Sequence, residues 1–220
     1  EADPLKIRLE EGVHEILGQY GRMIVTCSHI TFVGKGKDKT TICGGFQVDN
    51  KQNVTNEELT KTSRGTGLMM SRSETNVDVL KCVVKECRHT GMSVYDGATV
   101  TATQCDFMEN GSFGVLGREN TKVRLNDCTV RNNQSDGLWA YGDAVVDLHG
   151  TTTGIHSNKQ CGIAAYNSAR VNIHLPSQHN TSHDNVGEDR KNGWGGGSIA
   201  NINADGTFTH VVVDDDEGDY

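Results

Sequence analysis

Proline occurs twice in 220 residues, and aromatic side chains make up 5% of the chain. Basic residues are also short, 21 Lys and Arg against 29 Asp and Glu, for a formal charge of -8. Proteins that grip a phosphate backbone usually carry a basic face, so the expected partners exclude nucleic acid. The longest apolar runs are a handful of residues, too short for a transmembrane helix, and membrane insertion is not expected. Residues Glu1 to Glu10 lack the pattern of a signal peptide. No window carries a helical apolar stripe, and repeats of paired amphipathic helices, which need about 34 residues, are excluded.

Glycine is plentiful at 26 residues, above the usual share of about 7%. A chain rich in Gly, Asn and Thr but poor in Pro and aromatics is either low in complexity or built of many short strands and tight turns. Internal repetition decides for the second. Gly91, Gly114 and Gly137 are spaced by 23, and Gly162 follows after 25. Val100, Val123, Val146 and Val171 keep those steps, as do Ala102, Leu125, Leu148 and Ile173. Cys82, Cys105 and Cys128 repeat at 23, with Thr151 expected in the next slot.

Within a unit, apolar and polar residues alternate, as in Ala98 to Ala102 and Val123 to Asn126. A period of two means strands with one buried face. Asp96-Gly97, Asn110-Gly111 and Gly142-Asp143 punctuate them. Each unit then holds three short strands and three turns, and equivalent strands of successive units can pair in parallel. The predicted fold is all-β, a single-stranded right-handed parallel β-helix of about eight coils of ~23 residues. It is assigned to residues 1–213, with 214–220 as an acidic disordered tail. The N-terminal segment and the last strands are the expected end covers. Pro176 to Gly197 reads as a degraded coil with a mobile loop.

The repeat C-x-V…N-x-x-x-G-V/L resembles the right-handed β-helix repeats of the pectin-lyase-like superfamily, including repeats of the NosD and F-box type. Ile7 to Ile16 and Ile30 to Ile42 are similar to the first coils of pectinesterase and pectate-lyase relatives. The resemblance covers roughly residues 5 to 205. It implies the fold, and a family that includes lyases, hydrolases, epimerases, tailspikes and non-catalytic recognition domains. Pectate lyases would imply a carboxylate group for Ca²⁺ with an Arg or Lys base; polygalacturonases, paired aspartates with His and Arg-x-Lys motifs. Neither full set is present, so no catalytic residue is carried over. Ca²⁺ is expected only under a lyase reading, and otherwise no cofactor.

Asn110, Asn133 and Asn158 precede their glycines by a constant four residues, with Cys87 in the slot of the first unit. Stacked amides there can satisfy one another along a turn ladder. Asn-x-Ser/Thr sequons fall at Asn53, Asn110, Asn133 and Asn180. A glycan on Asn110 or Asn133 would break that ladder, and seven cysteines, an odd count, read mainly as reduced, buried side chains. Together these lean towards a reducing compartment. Gly34 to Thr40 has lysines and glycines but not the spacing of a phosphate loop, and reads as a turn.

Fixing the inward columns fixes what points outward. Tyr95, Arg118, Tyr141 and Tyr166 share one outward column, and Trp139 stands in a neighbouring one. Rings beside an arginine suit a sugar or a protein partner, or simply shield the sheet. On a second outward face Arg124, Asp147, His149 and His174 come together, with an Arg124–Asp147 pair expected across strands. Two imidazoles beside a carboxylate can do acid–base chemistry or hold a metal, though no metal site is assigned. Two readings stay open. One is a non-catalytic recognition or structural module, binding a polysaccharide or protein through Tyr95, Arg118, Trp139, Tyr141 and Tyr166. The other is a polysaccharide lyase or epimerase built on Arg124, Asp147, His149 and His174. The oligomeric state is left open.

Overall fold

The computed structural model describes residues 5–17, 21–174 and 181–210. Strands of two to five residues succeed one another without an intervening α-helix among the described residues. Every third strand pairs in parallel with its predecessor one coil earlier. Three sheets result. The first runs from Leu5–Arg8 through Asn76–Leu80 to Ser198–Ile202; the second from Gly12–Glu15 to Ser182–His183; the third from Arg22–Val25 to Arg190–Asn192. Registers are those of the sequence period: Val77 faces Val100, Val100 faces Val123, and Val123 faces Val146. The chain is a parallel β-helix of about eight coils.

Alternation decides what the lumen holds. Columns such as Val79, Ala102, Leu125, Leu148 and Ile173 point inward, and all are buried. On the second sheet Val84, Phe107, Val130 and Ile155 do the same. Cys82, Cys105 and Cys128 stack inward as free thiols. The next slot belongs to Thr153 rather than Thr151: Thr153 Oγ1 accepts from the Cys128 amide at 3.3 Å, and Thr151 is exposed. That coil is two residues longer, and the extra pair is spent in the turn at 150–152, which carries Thr151 out of the column.

The asparagine ladder is present and one rung longer than the sequence period shows. Asn110 Nδ2 donates to Asn133 Oδ1, Asn133 to Asn158 and Asn158 to Asn185, each at 2.9 Å. Asn185 Nδ2 ends the series on the Asp189 carboxylate at 2.8 Å. Asn110, Asn133 and Asn158 are buried, so the sequons at Asn110 and Asn133 are closed to modification in the folded chain.

At most corners the backbone turns through a left-handed residue, and most of these are not glycine. Glu58, Lys81, Gln104 and Asp127 hold φ between 49 and 54° at the end of successive first-sheet strands, and Gly150 takes the same place at 90°. Glu86, Glu109, Asn132, Ser157 and Asp184 repeat this after the second sheet. The chain changes direction there because the αL conformation swings the following strand onto the next face, at a modest steric penalty for residues with a Cβ.

One coil breaks the apolar rule. Asn56 lies in the column of Phe32 and Val79, and Lys61 in the column of Ile42 and Val84. Both are 0% exposed, and neither the Asn56 amide nor the Lys61 amine has a hydrogen-bond partner. Lys61 Nζ sits 3.0 Å from the centroid of the Phe46 ring, and burial pulls its pKa down to about 7.

The ends differ. Phe208–His210 pairs antiparallel with Ala200 to Ile202 and so ends the first sheet, with Phe208 exposed. The first coil does not act as a cover, because Leu5, Val13, Leu17 and Ile24 are all exposed. Residues 181–197 do not form a loop outside the helix: Ser182–His183 and Arg190–Asn192 pair with the preceding coil. The rest of the expected loop, from 176 to 180, and the acidic tail at 214–220 lie outside the described residues.

Candidate functional site

The third sheet carries the aromatic face. Strands Val115–Arg118, Leu138–Tyr141 and Ile163–Tyr166 pair so that Leu116, Trp139 and Ala164 share one outward column and Arg118, Tyr141 and Tyr166 the other. Trp139 and Tyr141 stack at 5.2 Å with planes 4° apart. Phe113 stacks on Trp139 at 5.6 Å; by register it stands opposite Asp136, on the other side of Trp139 from Tyr141. Trp139 is thus held between two rings and packs the sheet rather than offering a bare face. Tyr166 lies 5.9 Å from Trp139, tilted. Tyr95 stands apart from this group and meets the Arg118 guanidinium at 5.8 Å from its ring centroid.

The open ring of the face is Trp194, which is 68% exposed. It makes an edge contact with Tyr141 and a tilted one with Tyr166, each at 6.1 Å between centroids. Its place depends on the glycines around it. A Cβ on Gly193 would lie 1.8 Å from the Tyr166 ring, so only glycine lets the backbone press onto that ring. Gly195 and Gly196 follow at φ near +80°, and the Trp194 carbonyl accepts the Asn167 amide at 2.9 Å. Sequence reasoning missed Phe113 and Trp194. Phe113 lies in a turn, and Trp194 in the Gly-rich stretch where the period falters; a tryptophan among four glycines is the signal that was there to be used.

Charges around the rings are paired. Arg118 donates from Nε to Glu119 at 3.1 Å, and Lys191 meets Glu188 at 2.9 Å. Glu119 also shares a hydrogen bond with Asp96; that bond pushes the Asp96 carboxyl above its ordinary range, while Arg118 holds Glu119 below its own.

The second predicted group stands on another face. Arg124, Asp147 and Asn172 follow one another across the first sheet, with Asn126 and His149 beside them and His174 completing that column. The imidazoles of His149 and His174 stack at 3.9 Å, 11° from parallel. The expected Arg124–Asp147 pair does not form. Asp147 Oδ1 instead meets His174 Nε2 at 3.0 Å and accepts from Asn172 at 2.9 Å, while Arg124 is exposed. Burial raises the Asp147 pKa, but these hydrogen bonds outweigh it and the net shift is downward. Burial first, then the His174 and Arg124 charges, keeps His149 below its ordinary value.

The sequence of residues 41–181 matches the family model for the right handed beta helix region. Among solved structures, the crystal structure of the Agl-KA catalytic domain is 15% identical with a TM-score of 0.51, over 85% of this chain and 37% of that one. ORF18 of Geobacillus virus E2 is 13% identical with a TM-score of 0.45, over 90% of this chain and 52% of that one. The chain thus spans about a third and a half of these two, and the likeness to the Agl-KA domain is one of fold alone. No curated protein matches it in sequence. A family match over more than half of the chain, on a molecule whose columns, ladder and three parallel sheets all follow the same coil, places it in the right-handed β-helix family.

Proposed function

We propose that the chain is a non-catalytic recognition module that binds a neutral glycan on its third-sheet face. The observation that carries this is Trp194, an exposed indole fixed against Tyr141 and Tyr166 by a turn that only glycines can make. A sugar ring presents C–H groups that stack on such a face, and hydroxyls that suit paired charges at its rim. The pairing of Arg118 with Glu119 and of Lys191 with Glu188 engages these two cations of the face, and the chain's formal charge of -8 opposes a polyanion.

The alternative, a lyase or epimerase on an acidic polysaccharide, is less well supported. Its groups stand on the first sheet, so a chain stacked on the rings does not pass over the histidines. Ca²⁺ takes six to eight oxygens, and that site supplies one carboxylate beside two imidazoles.

Both tryptophans of the chain belong to the aromatic face, so its tryptophan emission reports on that face alone. Titration with neutral and acidic oligosaccharides, read by emission and by thermal midpoint, tests the proposal. A saturable response to a neutral glycan is expected, weakened about tenfold or more in Trp194→Ala at an unchanged midpoint of the free protein. A flat response to every glycan overturns it and leaves a protein partner or a structural role. A response to uronans alone, with product formed, returns the enzyme.

A further inference from the structure

We propose that Asp147, His149 and His174 bind a divalent transition-metal ion of the zinc class on the outward face of the first sheet. Alternation puts Asp147 and His149 on one side of the same strand, and the coil register sets His174 on the next rung. One donor atom from each of the three lies within 4.8 Å of the others, and all three residues are half-buried. Two imidazole nitrogens and one carboxylate oxygen suit zinc, cobalt, nickel or copper, whereas calcium and magnesium call for oxygen throughout.

Two further observations point to a ligand. His149 Nε2 is shut off from solvent and has no hydrogen-bond partner. A buried imidazole nitrogen left so is an exception in folded proteins, and a metal ion would satisfy it. In addition, Asn172 holds the Asp147 carboxylate from the neighbouring rung at 2.9 Å, the kind of outer contact that orients a metal ligand.

Coordination asks for a small change. A tetrahedral ion with bonds of about 2.0 to 2.1 Å brings its ligand atoms to about 3.4 Å of one another, so the stacked rings must splay. His174 gives up its hydrogen bond to Asp147: the Nε2 proton of that bond is released to solvent, or a neutral ring changes tautomer with solvent's help, so that Nδ1 carries the remaining proton and Nε2 takes the ion; water fills the fourth position.

The molecule contains its own control. His156 and His183 also stack, at 5.1 Å on the second sheet, but His156 is bonded to Ser157 and His183 to its exposed neighbour Asp184, and among the described residues they form no three-donor group. Untagged protein titrated with Zn²⁺ by calorimetry, and with Co²⁺ by visible absorption, is the test. One ion per chain is expected, with the intense absorption of four-coordinate cobalt and a raised thermal midpoint; Ca²⁺ should do none of this. His149→Ala, His174→Ala and the near-isosteric Asp147→Asn should each weaken binding about tenfold or more, and His156→Ala should leave it unchanged. No uptake at micromolar zinc overturns the proposal. So does uptake that survives loss of both His149 and His174, or that falls equally with His156.

Discussion

Lys61 is the residue most at odds with its surroundings. An amine inside an apolar column resists protonation, and burial moves its pKa from 10.5 to about 7. The unfolded chain takes up that proton readily below pH 10.5, so between about 10.5 and 7 it binds more protons than the folded one. Stability from this group therefore falls as pH drops through that window, and the full penalty, on the order of 5 kcal/mol, is reached below pH 7. Lys61→Met keeps the length and removes the amine. Its thermal midpoint should exceed that of the parent at pH 7, with the difference closing as the pH approaches 10; a constant difference across that range would show that packing, not the proton, is at stake. Trp139 teaches the reverse lesson. Being the most conspicuous ring in the clean repeats, it reads as an anchor, yet its neighbours on both sides make it a packing residue.

At the level of single turns and strands, the segment from Gly193 to Gly197 is the element on which the glycan reading rests. Gly193→Ala drives a methyl group into the Tyr166 ring, so the turn must lift. In a Trp139→Phe background, where Trp194 alone emits, this substitution should shift the emission and weaken glycan binding, while the midpoint falls by what about 1 kcal/mol implies. Unchanged emission would mean that the turn does not position the ring. Strands, inward columns and registers were legible in the sequence because a pleat of period two and a coil of period 23 both leave apolar residues at fixed steps. The corners were not. Glu58, Lys81 and Gln104 turn the chain in a left-handed conformation that carries no glycine signature, so only their recurrence at one register shows it. The histidine pair was legible from the same arithmetic. Its bond to Asp147 was not, since a repeat fixes which residues are neighbours but not which of them an exposed arginine will leave unpaired. Trp194 was lost where coil length changes and columns can no longer be counted.

For the molecule as a whole, coils touch only their neighbours, so stability is close to a sum of coils and of the contacts between them, and the ends open first. The first coil, with Leu5, Val13 and Ile24 exposed, is one such end. At the other, the asparagine ladder has a direction. Each side-chain amide from Asn110 to Asn158 donates one N–H to the next rung, so the side-chain bonds form a series that runs one way and strengthens itself, while each Nδ2 gives its second N–H to a backbone carbonyl one coil back. The donor end of that line falls at Asn185, where the Asp189 carboxylate accepts the last amide. An acid stands there for the reason that acids stand at the start of an α-helix: a negative charge completes a row of aligned donors. The β-helix thus carries a one-way thread with a charged stopper. Asp189→Ala should loosen residues 181–192 first, seen as hydrogen exchange rising there while amides near Asn110 stay protected; Asp189→Asn, which keeps an acceptor but not the charge, should fall between.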